Sequence, residues 1–446
     1  MLKEINVIGA GLAGSEAAFQ LATRGYKINL FDGKAKRKND IQKTDSFAEL
    51  VCSNTFRSLS TRNAVGILKK EMQMFNSIVM KAAFANRVDA DDALAVDRDL
   101  FAKAITDELM QMPNIHFQPS DITKIDFKIP TIIATGPLTT STLLDEIVAY
   151  FGQDNFYYLD ASSPILEKDS LDLSYFHYAS RHKNDNSYLC YPMDEATFDR
   201  FHAELINAET IAIHDIDKEI YFKGCQPIEV MAKESKKILL NGPMSPNNFE
   251  FDGVKPYAVL QLRKDDANDQ FYNIVGFQTN IKWPEQKRVL QTLAGFENVK
   301  IYRYGVLHKN NYINSAKVLN GTLQARAYPN IFFAGQITGV EGYIESAASG
   351  IIAALGMADY LERRPSFLNF PDTTVMGSLV NYVTNKKHKD LKPMKANIGL
   401  LPTISGTFAS RDEKNDAVYE RSMADLERFI AKWGLKTPDF GVATSK

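Results

Sequence analysis

The chain has 446 residues, 45% hydrophobic and 24% charged, with 25 Gly and 17 Pro. That composition is ordinary for globular proteins and excludes disordered, collagen-like and disulfide-scaffold classes. At about 150 residues per domain, the length suggests two or three domains, or one domain interrupted by another. Fifty-two Lys and Arg against 54 Asp and Glu give a formal net charge of -2, so any nucleic-acid surface must be a local basic patch.

Residues 5–8 read as a short apolar strand that runs into Gly9-Ala10-Gly11-Leu12-Ala13-Gly14. Acidic Glu4 and polar Asn6 break the N-terminal apolar run, so it is not read as a signal peptide, and no stretch nears the roughly 20 apolar residues of a membrane span. A cytoplasmic protein without membrane contact is expected. Residues 15–24 have a helix-forming composition ending at Gly25, and residues 27–31 form a second strand that ends in Asp32. In this order of strand, glycine turn, helix, strand and acid, GxGxxG is a dinucleotide-binding fingerprint. The glycines permit the tight turn and close backbone approach, the helix N-terminus receives a pyrophosphate, and Asp32 can accept a hydrogen bond from the adenosine ribose. The alternative is a tight turn packed without ligand. Lys34, Lys36, Arg37 and Lys38 follow at once and read as a solvated loop.

Residues 131–134 form a buried-type strand leading to Gly136-Pro137, and residues 330–335 repeat the pattern of apolar strand then glycine, ending at Gly335. Both support one nucleotide fold split across the chain. A buried helix is expected over 344–361, its N-terminus open to a second phosphate or a planar cofactor. Between these landmarks the texture changes. The expectation is an α/β protein whose Rossmann-like dinucleotide-binding domain comprises residues 1–180 and 330–446, with an inserted α+β domain at 181–329. The tail from about 371 returns to helix and loop and carries Lys386, Lys387, Lys389, Lys392 and Lys395.

Three cysteines, Cys52, Cys190 and Cys225, form no CxxC pair, which disfavours a disulfide framework and a structural zinc site. The seven histidines include no HxxxH or HxH pair, and no metal is expected. Cys52 follows an apolar run, and its thiolate could be stabilised by Arg57 or by backbone donors of a following helix; the alternative is a buried, inert thiol. Cys225, between Gly224 and Gln226-Pro227, suits a loop or strand end, with functional and structural readings both open. Cys190 reads as packed. Basic and aromatic residues interleave in Lys282-Trp283 to Arg288 and in Tyr302-Arg303-Tyr304 to Asn311; these are either a surface for phosphates and unpaired bases or an amphipathic strand with a solvated face.

Taken together, the sequence resembles the folate- and FAD-dependent tRNA uracil-5-methyltransferases, a branch of flavoproteins related to the GidA family. The resemblance runs nearly end to end. It is carried by Val7 to Ala18, Ala48-Glu49-Leu50-Val51-Cys52-Ser53-Asn54, Ala93 to Arg98, Tyr158 to Pro164, Gly224 to Glu229, Val275 to Thr279 and Phe333 to Tyr343. It implies FAD, 5,10-methylenetetrahydrofolate and NADPH or NADH as cofactors. The one-carbon unit would pass through the flavin to uracil carbon-5. Cys225 would add to carbon-6 of the ring, and Cys52 would help remove the carbon-5 proton.

By the same resemblance Gly9, Ala10, Gly11, Leu12, Ala13, Gly14, Asp32 and Gly136 belong to the FAD site. Gly335, Gln336, Thr338, Gly339 and Gly342 would lie near the ribityl chain and ring, Tyr343 would wall the folate, and His308 and Asn310 would orient flavin or folate. The sequence departs from the family at Asp32-Gly33-Lys34-Ala35, where Glu-Met-Arg-Pro is usual, at Asn39-Asp40-Ile41-Gln42-Lys43, where a His-rich segment is usual before Thr44-Asp45, and at Leu189-Cys190-Tyr191-Pro192-Met193, where the family's cysteine is displaced. The implied RNA target is the tRNA T-loop uridine, with a 23S ribosomal RNA uridine as the same-chemistry alternative. DNA is not expected as a partner. Readings from other classes are a non-catalytic RNA-binding flavoprotein and a plain NAD(P)H flavin oxidase.

Overall fold

The structure is a computed structural model that describes residues 3–36, 42–152, 156–181, 186–212, 226–363, 368–389 and 391–435. Its centre is a five-stranded parallel sheet in the order Ile331–Phe333, Thr131–Ile133, β1 (Glu4–Ile8), β2 (Lys27–Phe31) and Ile115–Gln118. Ile5, Val7, Ile28 and Leu30 are fully buried, as strands covered on both faces require. Ile331–Phe333 pairs in parallel with Thr131–Ile133, so two stretches far apart in sequence complete one sheet and align their C-terminal ends along one edge.

The helix after the glycine turn, α1 (Leu12–Ala22), begins inside the motif rather than after it. Gly11 is its extended N-cap, and all eleven of its residues are buried. The helix Tyr343–Glu362 crosses against it. Gly350 makes the close approach possible, since a Cβ there would strike the carbonyl oxygen of Ala13.

A second hydrophobic cluster, from Leu166 to Val299, is separate from the first, which spans Ile5 to Phe151 and Ile313 to Leu435. It is built on a six-stranded sheet in the order His177–Ala179, Tyr188–Met193, Ala258–Lys264, Phe271–Ile274, Ile165–Glu167 and Ile301–Arg303, in which neighbours are antiparallel. The chain leaves and re-enters the first core along an antiparallel ribbon, Phe156–Ala161 against Leu307–Tyr312. Polar contacts join the units. Arg98 pairs with Asp265 at 2.8 Å, Arg263 donates to Asn54 Oδ1 and Ser53 Oγ, and Arg303 lies 3.4 Å from Glu49. Among the described residues no helix is long and apolar enough to cross a membrane.

Candidate active site

Along the C-terminal edge of the parallel sheet lies a cavity. Gly9, Gly11, Leu12, Ala13, Asp32, Gly136, Gly335, Gln336 and Tyr343 are among the residues that line it. The three glycines of the motif have different physical tasks. Gly9 adopts φ +100°, and a Cβ there would collide with the carbonyl of Ala134; a Cβ on Gly14 would run into the carbonyl oxygen of Gly9. Gly11 faces open space, so its missing side chain leaves room for a ligand rather than for protein. The first turn of α1 has no side-chain cap and no acid, leaving its partial positive charge to the cavity. Ala10 and Gly14 sit behind this lining.

Asp32 accepts hydrogen bonds from the Ala10 N–H through Oδ2 and the Lys34 N–H through Oδ1, both at 2.8 Å. The acid therefore clamps the glycine turn to the end of β2. A carboxylate with one backbone donor on each oxygen still has lone pairs for a ribose hydroxyl. These features fit a dinucleotide. Lys34 is not the solvated residue expected: it is buried, donates to the Ser46 carbonyl and lies 3.4 Å from Glu49. It fastens the loop that carries residues 46–49 over the cavity.

Tyr343, the first residue of its helix, connects this cavity to Cys52. Its hydroxyl oxygen accepts the backbone N–H groups of Cys52 at 2.7 Å and Ser53 at 3.1 Å, and burial pushes its phenol pKa up. Cys52 is half-buried, with Sγ 3.5 Å from the carbonyl oxygen of Ala161. The backbone donors of a following helix, one stabiliser expected for its thiolate, are not there. A strand, Thr55–Ser58, follows it instead of a helix, because this segment pairs with Ala93–Val96. Arg57, held at φ +64°, ion-pairs with Glu345. Arg98 is electrostatically coupled to Cys52; it donates to the Leu50 carbonyl and is locked to Asp265. Burial opposes its charge, but Asp265, Tyr343 and Cys52 together hold its pKa above the ordinary value.

Other predicted residues are placed apart from the cavity wall. Thr338, Gly339 and Gly342 shape the loop beyond Gly335 without lining the cavity; the two glycines take φ +84° and +113°. His308 and Asn310 are buried on the connecting ribbon, also outside the lining. His308 Nε2 is 3.8 Å from Asp160 Oδ2, and Asn310 donates to that same oxygen at 3.4 Å. Burial lowers the His308 pKa against the opposing pull of Asp160. Asp160 immediately precedes Ala161, the residue facing Cys52, so this polar group braces the ribbon behind the thiol.

Cys225 lies outside the described residues. The segment just after it is anchored: Ile228 N–H donates to the Gln278 carbonyl, and buried Glu229 accepts from Thr279 Oγ1 and Asn280 N–H, both at 2.8 Å. Cys190 is fully buried, and burial pushes its thiol up to about 12, which makes it inert.

The aromatic segments converge on a cleft between the units. Trp283 stacks on Tyr304 with centroids 5.2 Å apart, and Phe271 stacks on Tyr302 at 4.1 Å. Lys43, Arg98 and Arg303 share this cleft with Glu49, Asp97, Asp99, Asp265 and Asp266. Acids outnumber bases, so it suits a planar ring better than a phosphate chain. Glu49, Arg98 and Asp265 were not singled out from sequence. Arg98 and Asp265 are 167 residues apart, and nothing local couples them.

Residues 4–365 match the family model described as "Glucose inhibited division protein A". A methylenetetrahydrofolate–tRNA-(uracil-5-)-methyltransferase of Mesoplasma florum is 53% identical, covering 96% of this chain and 97% of that protein. Proteins of the same name from Mycoplasma mycoides and Halalkalibacterium halodurans are 50% and 46% identical, each over 96% of this chain, and covered to 98% and 99% of their own length. Two crystal structures of Aquifex aeolicus GidA share the fold with TM-scores of 0.68 at 15% and 16% identity, covering 96% and 97% of this chain and 74% and 80% of theirs. The chain belongs to the GidA-related family of methylenetetrahydrofolate–tRNA-(uracil-5-)-methyltransferases.

Proposed function

We propose that this protein methylates carbon-5 of a uridine in structured RNA, by default the T-loop uridine of tRNA, using methylenetetrahydrofolate, FAD and NADPH or NADH. The observation that carries the reading is full-length similarity to three proteins of that name. The reading is supported by a cavity lined by the glycine motif and by the same Tyr343 that fixes the backbone of Cys52. The split organisation, with an insertion around the second hydrophobic cluster, and a cytoplasmic location belong to the same proposal.

Bound flavin would supply the redox-active carrier of the one-carbon unit, with the nicotinamide as electron source. Gly9, Gly11 and the N-terminus of α1 would hold its pyrophosphate, with Gly14 packed behind them to allow the tight turn, Asp32 its ribose, and the Gly335–Gln336 turn the opposite side of the cavity. Tyr343 lines the cavity beside Glu49 and Val51 of the cysteine loop and sets the position of Cys52. Carbon-5 of uracil is a poor nucleophile until a thiolate adds at carbon-6 and turns the ring into an enolate. Cys225 makes that addition. Cys52 accepts the carbon-5 proton, and elimination of Cys225 restores the ring. A uridine stacked in a folded loop has to be turned out of its stack to reach these groups, at a cost of a few kcal/mol.

Cys225→Ala tests the assignment: methylation disappears while flavin absorbance persists. Unchanged methylation would remove Cys225 from the mechanism. The same chemistry on a 23S ribosomal uridine is the alternative target, motivated by the departures at residues 32–35 and 189–193.

A further inference from the structure

After the helix Val375–Val383 the parallel-sheet unit carries a basic segment that the reaction does not use. Lys386, Lys387, Lys389, Lys392 and Lys395 fall within ten residues that contain a single acid, Asp390, in a chain whose net charge is only -2. Lys386, Lys387, Lys389 and Lys392 are exposed. None of these four joins an ion pair among the described residues. Other surface lysines do: Lys81 with Glu108, Lys103 with Asp107, Lys236 with Asp199 and Lys282 with Glu209. Four ammonium groups close in sequence with Asp390 as the one acid among them repel one another, and a polyanion would relieve that repulsion.

The segment is also fixed in place. Asn314 Nδ2 donates to the Lys389 carbonyl at 2.8 Å, and the Tyr312 hydroxyl donates to the Leu391 carbonyl at 3.1 Å. The Met394 N–H donates to the Gly339 carbonyl, and the Glu341 N–H donates to the Met394 carbonyl, both at 2.9 Å. Ala396 N–H reaches Glu345 Oε1 at 2.8 Å. Leu391 is buried against Gly339, where a Cβ would come within 2.8 Å of its Cδ2. The lysines are therefore strapped to the outer side of the loop whose other end, Gly335 and Gln336, lines the cavity.

We propose that this lysine strap is the docking surface for the phosphate backbone of the RNA substrate, holding it at a fixed offset from the cavity into which the uridine turns. The inference rests on the function proposed above. Lysine ammonium groups are point charges that suit phosphate positioning without reading bases. The strap is irregular rather than helical, and its buried Leu391 offers no apolar face, so a lipid surface is not its match. The aromatic cleft, with its excess of acids, cannot take over the phosphate contacts. Base stacking there and phosphate contacts at the strap would divide the work.

The test is binding of an unmodified tRNA transcript across a salt series, for the wild-type chain and for K386S/K387S/K389S/K392S, with flavin absorbance checking the fold. Each lost phosphate contact lowers the slope of log affinity against log salt by about 0.7–0.9. The quadruple variant should lose about 3 in slope and at least about tenfold in affinity near 0.1 M salt, while the quadruple Lys→Arg variant keeps the slope. Should the quadruple variant fail to fold, K386S/K387S lies outside the pinned part and should lose about half as much slope. Equal slopes and affinities for wild type and serine variants overturn the strap. Wild-type protein that binds tRNA but transfers no label from methylene-labelled folate overturns the functional reading instead, and the slopes still decide the strap. Wild-type protein that binds no RNA overturns both.

Discussion

At the residue scale the glycine motif shows how one sequence pattern combines folding and binding demands. Gly14→Ala should destabilise the protein by about 1–3 kcal/mol, because its Cβ meets backbone that cannot move aside. Gly11→Ala should leave the urea midpoint nearly unchanged and lower flavin retained through gel filtration, since its Cβ enters open space beside the cavity. Equal loss of stability in both would contradict this division. Glu341 gives a pH prediction. Burial raises its carboxyl to about 7, Lys395 and Arg57 pull it down, and Glu345 pushes it up. Between its ordinary value of 4.5 and about 7 the folded protein keeps a proton that the unfolded chain releases, so stability falls as pH rises through that window. Glu341→Gln should therefore gain about 3 kcal/mol relative to wild type between pH 4.5 and 8, read by urea unfolding at both values. A pH-independent difference would contradict it. The glycines and Asp32 were legible because their demands are local. The burial of Glu341 was not, because it depends on a segment some fifty residues later that covers it.

At the element scale, strands and helices with continuous apolar runs were readable, and their ends less so. Residues 27–31 stand as the strand expected, whereas α1 starts at Leu12 because Gly11 can act as an extended N-cap. The segment after Cys52 is a strand because Ala93–Val96 supplies its partner, and no periodicity in residues 53–58 announces that pairing. The helix Arg98–Gln111 is capped by Asp97, which accepts the N–H groups of Asp99 and Leu100 and, from the other unit, Ala267 at 2.9 Å. Arg98 beside it holds Asp265 in a buried ion pair. Arg98→Met should cost about 3–5 kcal/mol by stranding Asp265, and Arg98→Met with Asp265→Leu should recover much of that loss. Urea midpoints of the two single variants and the double check the coupling; additive losses would show that the pair does not act as a unit.

At the scale of the whole molecule, one chain builds a parallel sheet from segments on both sides of a second core. That arrangement brings the loops at 46–54, 335–345 and 389–396 around one edge of the sheet. The cysteine loop thus becomes a neighbour of the cavity and the lysine strap, though sequence separates it from the 335–345 loop and the strap by hundreds of residues. Sequence motifs pointed to the cavity and to Cys52; the polar joint between the units and the strap's attachment arise only from tertiary pairing. The central claim is one-carbon transfer to uracil. Its most direct test is incubation of purified protein with methylene-labelled tetrahydrofolate, NADPH and unmodified tRNA or ribosomal RNA in parallel, followed by nucleoside mapping. The account predicts label in 5-methyluridine of the tRNA T-loop, whereas absence of label from both RNAs, with FAD bound and reducible, would contradict it.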